Sequence, residues 1–448
     1  MGDKEDETVD EAFHPLGEGW QNELEGALEE TEYDAELGLE MAEDAMKVTK
    51  GELSEAEFYD RYHDDVVEEF GEDDRPIERP DDGNRLEGTL SRLGVDEESR
   101  RDVMKKLGAG AGAVGLGAWG TTADDGQPSV AAVEEEGDGN VEGTQYGMAI
   151  DLEQCDACLS CVVACAEEHN WEQGANWMYV LDYEDTTPGG KKRLVRPCQH
   201  CTDAPCEKVC PTTARHTRES DGLVLTDYDI CIGCRYCQVA CPYGVNYFQW
   251  EEPSVPVEEL EEDHMYDARG RWVGARGPRG VMEKCTFCAT RQDGSKGEEF
   301  VGRTACEDAC PPEAIQFGDM NDPESDPQRY LEDPALARVQ ARNPQGEELQ
   351  QAIDILTGEA EPAQSGGDGM TEQEARELIQ AEAGETESTF KLQEDIGTNP
   401  NVVYIGNEPG PNAEQVEGPV TYAEVGQTNN RIDALEERTI RAEADPFE

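Results

Sequence analysis

An α+β fold is predicted by two features of the 448-residue chain. All sixteen cysteines fall between residues 155 and 310, in four groups of four. Short segments that read as strands flank those groups, at residues 146–152, 178–183, 222–225 and 246–250. Each is short and bounded by turn-forming or cysteine-rich sequence, as strands are in a small α+β module.

The groups themselves name a chemistry. The first is Cys155-x2-Cys158-x2-Cys161-x3-Cys165 and the second is Cys198-x2-Cys201-x4-Cys206-x3-Cys210. The third is Cys231-x2-Cys234-x2-Cys237-x3-Cys241 and the fourth is Cys285-x2-Cys288-x17-Cys306-x3-Cys310. A cubane iron–sulfur cluster needs four thiolates, one per iron. Three closely spaced cysteines wrap a loop around three irons. The fourth opens the next helical turn, is carried away from that cube and ligates a neighbouring one. Prolines follow Cys210, Cys241 and Cys310, whereas Ala166 follows Cys165. Four runs supply ligands for four [4Fe–4S] clusters, in a ferredoxin-type α+β module. Zinc ribbons use two knuckles of two cysteines rather than three plus one. Disulfide frameworks belong to small secreted domains.

Composition bounds the remainder. With 36% hydrophobic and 6% aromatic residues, the core is lean, and metal binding energy adds to folding energy. The 103 acidic residues outnumber 36 basic ones, 11 Lys and 25 Arg, for a net charge of −67. Such a charge strains a compact fold by self-repulsion. Concentrated salt relieves the strain by shortening the Debye length to about 3 Å at 1 M. The acidity therefore reads as halophilic adaptation and argues against nucleic acid or anionic lipid as a partner. Sixteen of the 36 basic residues lie between residues 191 and 303. Cations there are expected to stabilise reduced, anionic clusters or to form a docking face.

In chain order, residues 1–98 read as an acidic helical segment, accessory to the cysteine region. Ser54-Glu55-Ala56-Glu57 is a capping box, followed by Phe58, Tyr62, Val66, Val67 and Phe70 at helical spacing. His14 and His63 are expected to be structural or surface residues. Residues 99–123 resemble a twin-arginine export signal: Ser99-Arg100-Arg101-Asp102-Val103-Met104-Lys105, a Gly/Ala-rich stretch at 107–119, and a small-residue cleavage site at Thr121-Thr122-Ala123. The arginines lie far from Met1, so a cytoplasmic tail before the signal, or an early assigned start, is expected. That route carries folded proteins, as pre-loaded clusters require. The apolar stretch is too short and Gly-rich for a lasting membrane span. Residues 124–143 read as an acidic linker, 144–325 as the four-cluster core and 326–388 as an acidic insertion with a helix opening at Thr371. Residues 389–448 read as a docking segment followed by a loose tail.

The stretches Tyr146-Gly-Met-Ala-Ile-Asp-Leu152, Arg196-Pro-Cys-Gln-His-Cys201, Cys231-Ile-Gly-Cys-Arg-Tyr-Cys237, Lys284-Cys-Thr-Phe-Cys288 and Ala314-Ile-Gln-Phe-Gly-Asp319 carry a family resemblance. Together with Asp395-Ile-Gly-Thr-Asn-Pro-Asn-Val-Val-Tyr404 they resemble the four-cluster iron–sulfur subunit of the complex iron–sulfur molybdoenzymes, such as dimethyl sulfoxide, polysulfide and tetrathionate reductases. The resemblance implies two ferredoxin-like 2[4Fe–4S] modules related by a pseudo-two-fold axis. It implies crossed ligation, with Cys155, Cys158, Cys161 and Cys310 on one cluster and Cys285, Cys288, Cys306 and Cys165 on its neighbour. In the inner pair, Cys198, Cys201, Cys206 and Cys241 hold one cluster and Cys231, Cys234, Cys237 and Cys210 the other. Nitrate reductases resemble this subunit but have tryptophan at the position of Cys234. Residues 1–98 and 326–388 lie outside the resemblance.

The expected function is an electron wire between a molybdopterin-containing catalytic subunit and a membrane-anchor, quinone-reactive subunit, with no substrate-converting site of its own. Contact with the membrane is expected only through that partner, on the outer face of the cytoplasmic membrane, with a cytoplasmic location as the alternative. A soluble polyferredoxin carrier is the alternative. An iron–sulfur enzyme with an open iron is disfavoured by the complete cysteine set. His200 and His216 are expected at the surface or beside the clusters rather than as ligands.

Overall fold

A computed structural model of the protein describes residues 18–71, 73, 75, 143–184, 191–342, 344, 346–364, 369–384, 389–409 and 413–428. The twin-arginine motif, the Gly/Ala stretch, the cleavage site, nearly all of the linker, His14 and the final residues of the tail lie outside the described residues.

Three helices come first: α1 (Glu18–Glu29), α2 (Ala35–Thr49) and α3 (Glu55–Phe70). The Asp34 side chain caps α2 by accepting from the Leu37 N–H, and Ser54 with Glu57 forms the expected capping box of α3. Their apolar faces, with Leu24, Leu28, Met41, Phe58, Tyr62 and Val66 buried, pack into one cluster with Cys234, Tyr236, Cys237 and Met282. Val67 points away and stays exposed. The segment expected to be accessory therefore shares its core with the third cysteine run. Its acidic outer face had suggested separateness, but burial of one apolar stripe suffices to dock it.

The cysteine region alternates short helices and strands. In chain order they are β1 (Tyr146–Asp151), α4 (Ser160–His169), β2 (Tyr179–Glu184), β3 (Lys191–Arg196), α5 (Pro205–Lys208), β4 (Arg215–Thr217) and β5 (Val224–Thr226). Then come α6 (Tyr236–Val239), β6 (Tyr247–Phe248), α7 (Glu262–Met265), β7 (Met282–Glu283), α8 (Ala289–Gln292), α9 (Ala305–Asp308) and β8 (Ile315–Asp319). All four strands expected around the cysteine loops are present.

Beyond them lie α10 (Asp326–Glu332), α11 (Pro334–Ala341), α12 (Glu347–Leu356), α13 (Glu372–Ala383), β9 (Thr389–Phe390), β10 (Val402–Ile405) and β11 (Glu414–Val416). The main sheet runs β8-β1-β10-β9, with β1 parallel to β10 and antiparallel to β8. Met148 faces Val402 and Ile150 faces Tyr404 in that register. The docking segment, whose residues 402–405 read as extended in the sequence, thus supplies an interior strand. The tail beyond it is not uniformly loose either. β11 pairs antiparallel with β2, and Tyr422 Oη accepts from the Val180 N–H at 3.0 Å.

The acidic insertion folds into α10–α13, three of which composition hid. Its apolar cluster holds Val339, Ala352, Ile353, Ala375 and Ile379. Thr371 opens α13 with the expected capping box. Arg338 on α11 donates to the Asp151 carboxylate at the end of β1 at 2.5 and 2.9 Å, and Tyr330 Oη donates to the same group at 3.0 Å. Among the described residues no helix is long and apolar enough to cross a membrane.

Candidate metal centres

Each cysteine run is a loop bent by left-handed residues. Ala157 and Leu159 have φ near 57° and 61° in the first run, His200 has 41° in the second, Arg235 has 66° in the third, and Phe287 and Cys288 have 52° in the fourth. Side chains adopt such values reluctantly. Alternating right- and left-handed residues turn successive N–H groups inward, forming concavities that suit anions such as iron–sulfur clusters. Gly233, at φ 70°, admits no Cβ, which would meet the Gly280 carbonyl oxygen at 2.1 Å. Backbone N–H groups reach sulfur accordingly: His200 to Cys198 Sγ at 3.4 Å, Arg215 to Cys210 at 3.3 Å, Ala305 to Cys288 at 3.5 Å and Ala314 to Cys310 at 3.3 Å. Below the first loop, Asp151 also accepts from the Glu153 and Gln154 N–H groups at 3.0 and 3.1 Å.

Folding gathers the sixteen free thiols into four neighbourhoods. Cys161 is surrounded by Cys155, Cys158 and Cys310. Cys165 is surrounded by Cys285, Cys288 and Cys306. Cys201 has Cys198, Cys206 and Cys241 as its thiol neighbours, and Cys234 has Cys210, Cys231 and Cys237. Each of the last two sets lines one cavity with all four of its sulfurs. In every neighbourhood one cysteine comes from a different run than the other three.

The electrostatics call for cations. Burial pushes Cys155 and Cys285 up to about 11 and Cys237 and Cys288 to about 12. It raises Cys161, Cys165, Cys201, Cys234 and Cys306 well above the ordinary thiol value. Sulfurs converging in fours without a disulfide, most of them buried, are unfavourable as free anions, and coordination to metal deprotonates a thiol outright. The donor set, all sulfur in inward-facing N–H nests, fits iron–sulfur clusters rather than a hard-oxygen ion. Basic side chains also approach: Arg193 lowers the cost at Cys155, Lys284 at Cys285 and Arg291 at Cys288.

Residues 192–258 match the family described as 4Fe-4S dicluster domain, and residues 14–78 match the N-terminal region of 4Fe-4S ferredoxin iron-sulfur binding. Over 204 residues the chain is 41% identical to an iron–sulfur subunit assigned to a dimethyl sulfoxide reductase of Halobacterium salinarum, covering 42% of this chain and 71% of that one. The chain belongs to the iron–sulfur subunits of the complex iron–sulfur molybdoenzyme family. This iron–sulfur subunit is also 38% identical over 204 residues to the iron–sulfur cluster-binding subunit of menaquinone reductase from Nitratidesulfovibrio vulgaris, covering 40% of this chain and 77% of that one. It is 39% identical over 207 residues to the iron–sulfur subunit of arsenate respiratory reductase from a Shewanella species, covering 40% and 84%. Its cofactors are [4Fe–4S] clusters. The match at residues 14–78 reaches the α1–α3 region, which sequence reading had set outside the resemblance.

The histidines sort by position. His200 is fully buried; its Nδ1 accepts from the Val224 N–H at 3.0 Å, its Nε2 donates to the Cys285 carbonyl at 3.1 Å, and its ring stacks on Phe287 at 3.8 Å. Burial holds it well below the ordinary histidine value, hence neutral. His216 is also lowered by burial, to about 4, and its Nε2 accepts from Arg269 at 2.8 Å. His63 pairs with Asp73 at 3.1 Å.

Sequence reading missed three neighbours of the thiols. His169 places Nε2 3.4 Å from Cys288 Sγ and stacks on Trp177 at 4.6 Å. Thr398 contacts Tyr243 Oη at 2.5 Å and holds the Cys201 thiol down against the rise that burial imposes. Arg215 lies 3.6 Å from Cys237 Sγ. A lone histidine, threonine or arginine carries no spacing signal. Thr398, however, sits in the quoted closing segment, where the resemblance could have pointed to it.

Proposed function

We propose that the chain relays single electrons through four [4Fe–4S] clusters between a molybdopterin catalytic subunit and a membrane quinone-reactive subunit. The observation that carries this reading is the file of thiol neighbourhoods. Cys161 of the first set adjoins Cys165 and Cys306 of the second, Cys285 adjoins Cys198 of the third, and Cys206 adjoins Cys237 of the fourth. The ligand sets are Cys155, Cys158, Cys161 and Cys310; Cys165, Cys285, Cys288 and Cys306; Cys198, Cys201, Cys206 and Cys241; and Cys210, Cys231, Cys234 and Cys237. When bound, the clusters supply one-electron carriage, and the protein supplies binding, orientation and electrostatics. N–H donors at the sulfurs and burial from water are what this chain contributes to that carriage.

The pairing of helices supports two ferredoxin-like modules with a pseudo-two-fold axis. α4 and α9, bearing Cys165 and Cys306, pack together, and so do α5 and α6, bearing Cys206 and Cys237. The relatives' names, subunits of reductases, support a catalytic partner. The name menaquinone reductase supports a quinone-linked one.

Anaerobically purified protein should contain about sixteen irons per chain. Low-temperature electron paramagnetic resonance should show only four-iron clusters, and mass spectrometry should find a molybdopterin oxidoreductase and a multispan membrane protein copurifying. A three-iron signal in fresh protein, stoichiometric zinc, or reduction of dimethyl sulfoxide by the isolated chain would sink the reading. The twin-arginine motif supports export in the folded state to the outer face of the cytoplasmic membrane. Arg100→Lys with Arg101→Lys should strand the loaded protein in the cytoplasm, and unchanged fractionation would refute export by this motif.

A further inference from the structure

Arg215 opens β4 and is 1% exposed. Three other buried arginines meet carboxylates: Arg338 meets Asp151, Arg218 meets Asp221 and Asp293, and Arg291 meets Glu168 and Asp308, while buried Arg276 bonds to backbone carbonyls. Arg215 meets none of these. Its Nη2 donates to Asn246 Oδ1 at 2.8 Å and lies 3.6 Å from Cys237 Sγ. Its Nε and Nη1 have no hydrogen-bond partner among the described residues. The side chain lines the cavity bounded by Cys210, Cys231, Cys234 and Cys237. The thiols acting on it most strongly are Cys237, Cys206, Cys198 and Cys231, two from each inner set. A buried guanidinium without a carboxylate is costly unless the charge is neutralised by something in that space.

We propose that Arg215 is the positioning cation at the junction of the two inner clusters, raising the reduction potential of both and most strongly that of the set containing Cys237. The proposal rests on the four-cluster reading above. Each cluster gains negative charge on reduction, and a fixed cation in a low-dielectric interior stabilises the reduced form. The guanidinium stays protonated at any working pH, so its effect is constant with pH. Its unpartnered N–H groups supply donors on the side of the cavity where the thiols converge. An electron is thereby held at the junction where Cys206 adjoins Cys237.

The test is a redox titration of the full chain followed by electron paramagnetic resonance, with iron analysis of every sample. In Arg215→Gln the equilibrium for reducing the Cys237 cluster should fall roughly tenfold, a shift of about 59 mV for a one-electron couple, with a smaller fall for its inner neighbour. Arg215→Lys keeps the charge and should restore most of the shift. Arg276→Gln is the control. It removes another buried arginine, bonded to the Val255 and Gly277 carbonyls and acted on by carboxylates rather than thiols, and should leave the potentials unmoved. Full iron with unmoved potentials in Arg215→Gln overturns the proposal alone, whereas wild type without iron overturns the cluster reading beneath it. Should Arg215→Gln fail to load, wild type carrying guanidino-15N arginine decides. A 15N coupling at the reduced inner clusters is expected, and its absence overturns the proposal.

Discussion

Cys234 is buried and shares its cavity with Cys210, Cys231 and Cys237. Serine there offers a harder, more basic oxygen in place of a thiolate. Cys234→Ser is expected to lower the potential of that cluster or to cost it one iron. The check is a three-iron resonance signal, together with a fall in quinol-linked activity of the assembled complex while dye-linked activity of the catalytic subunit survives. Thr398 acts more gently, through its hydrogen bond with Tyr243 beside Cys201. Thr398→Val should leave iron content intact and destabilise the fold by about 1 kcal/mol, the net worth of a typical hydrogen bond. Denaturant titration would measure it, and lost iron would mean that the hydroxyl is needed for assembly.

Among elements, the helices of the acidic insertion meet the main sheet at a buried ion pair. Asp151 takes Arg338 and Tyr330 from the insertion and also caps the start of the first cysteine loop. Asp151→Asn strands the Arg338 guanidinium, a change worth about 3–5 kcal/mol when one partner of a buried pair is removed. The expected result is proteolysis within residues 326–384 and a loosened cluster at Cys155. Resistance to proteolysis would mean that the apolar cluster alone holds these helices. The helices α2 and α3 are tied in a similar way. Burial would raise the Asp44 carboxyl, but hydrogen bonds from Lys47, Tyr62 and Arg61 outweigh it and hold the group below its ordinary value. Its contribution is therefore present above the unfolded value near 3.9 and is lost as pH falls below that through the folded value. Asp44→Asn should flatten the acid limb of a stability profile followed by circular dichroism.

For the whole molecule, charge sets the conditions of folding. A net charge of −67 repels itself across a chain whose core is lean. Raising salt from 0.1 to 1 M shortens the Debye length from about 10 to about 3 Å. The thermal midpoint should rise by several degrees over that range, and a midpoint independent of salt would refute the halophilic reading. The same scale shows what was legible in advance. The spacing of the cysteines marked all sixteen thiols, because three ligands of one loop are placed by covalent geometry alone. Capping boxes at Ser54 and Thr371 and the strand beginning at Tyr146 were legible for the same reason, since their causes lie within a few residues. Other features depended on contacts between distant segments. β10 enters the sheet beside β1, α1–α3 bury their faces against Cys234 and Tyr236, and Cys310 comes to rest beside Cys161. Arg215 is distinguished from the other buried arginines only by its surroundings. Local spacing therefore determined which thiols are grouped along the chain, and tertiary packing alone decided which charges, donors and neighbouring thiols surround them, because desolvation and Coulomb interactions depend on proximity in space rather than on order along the chain.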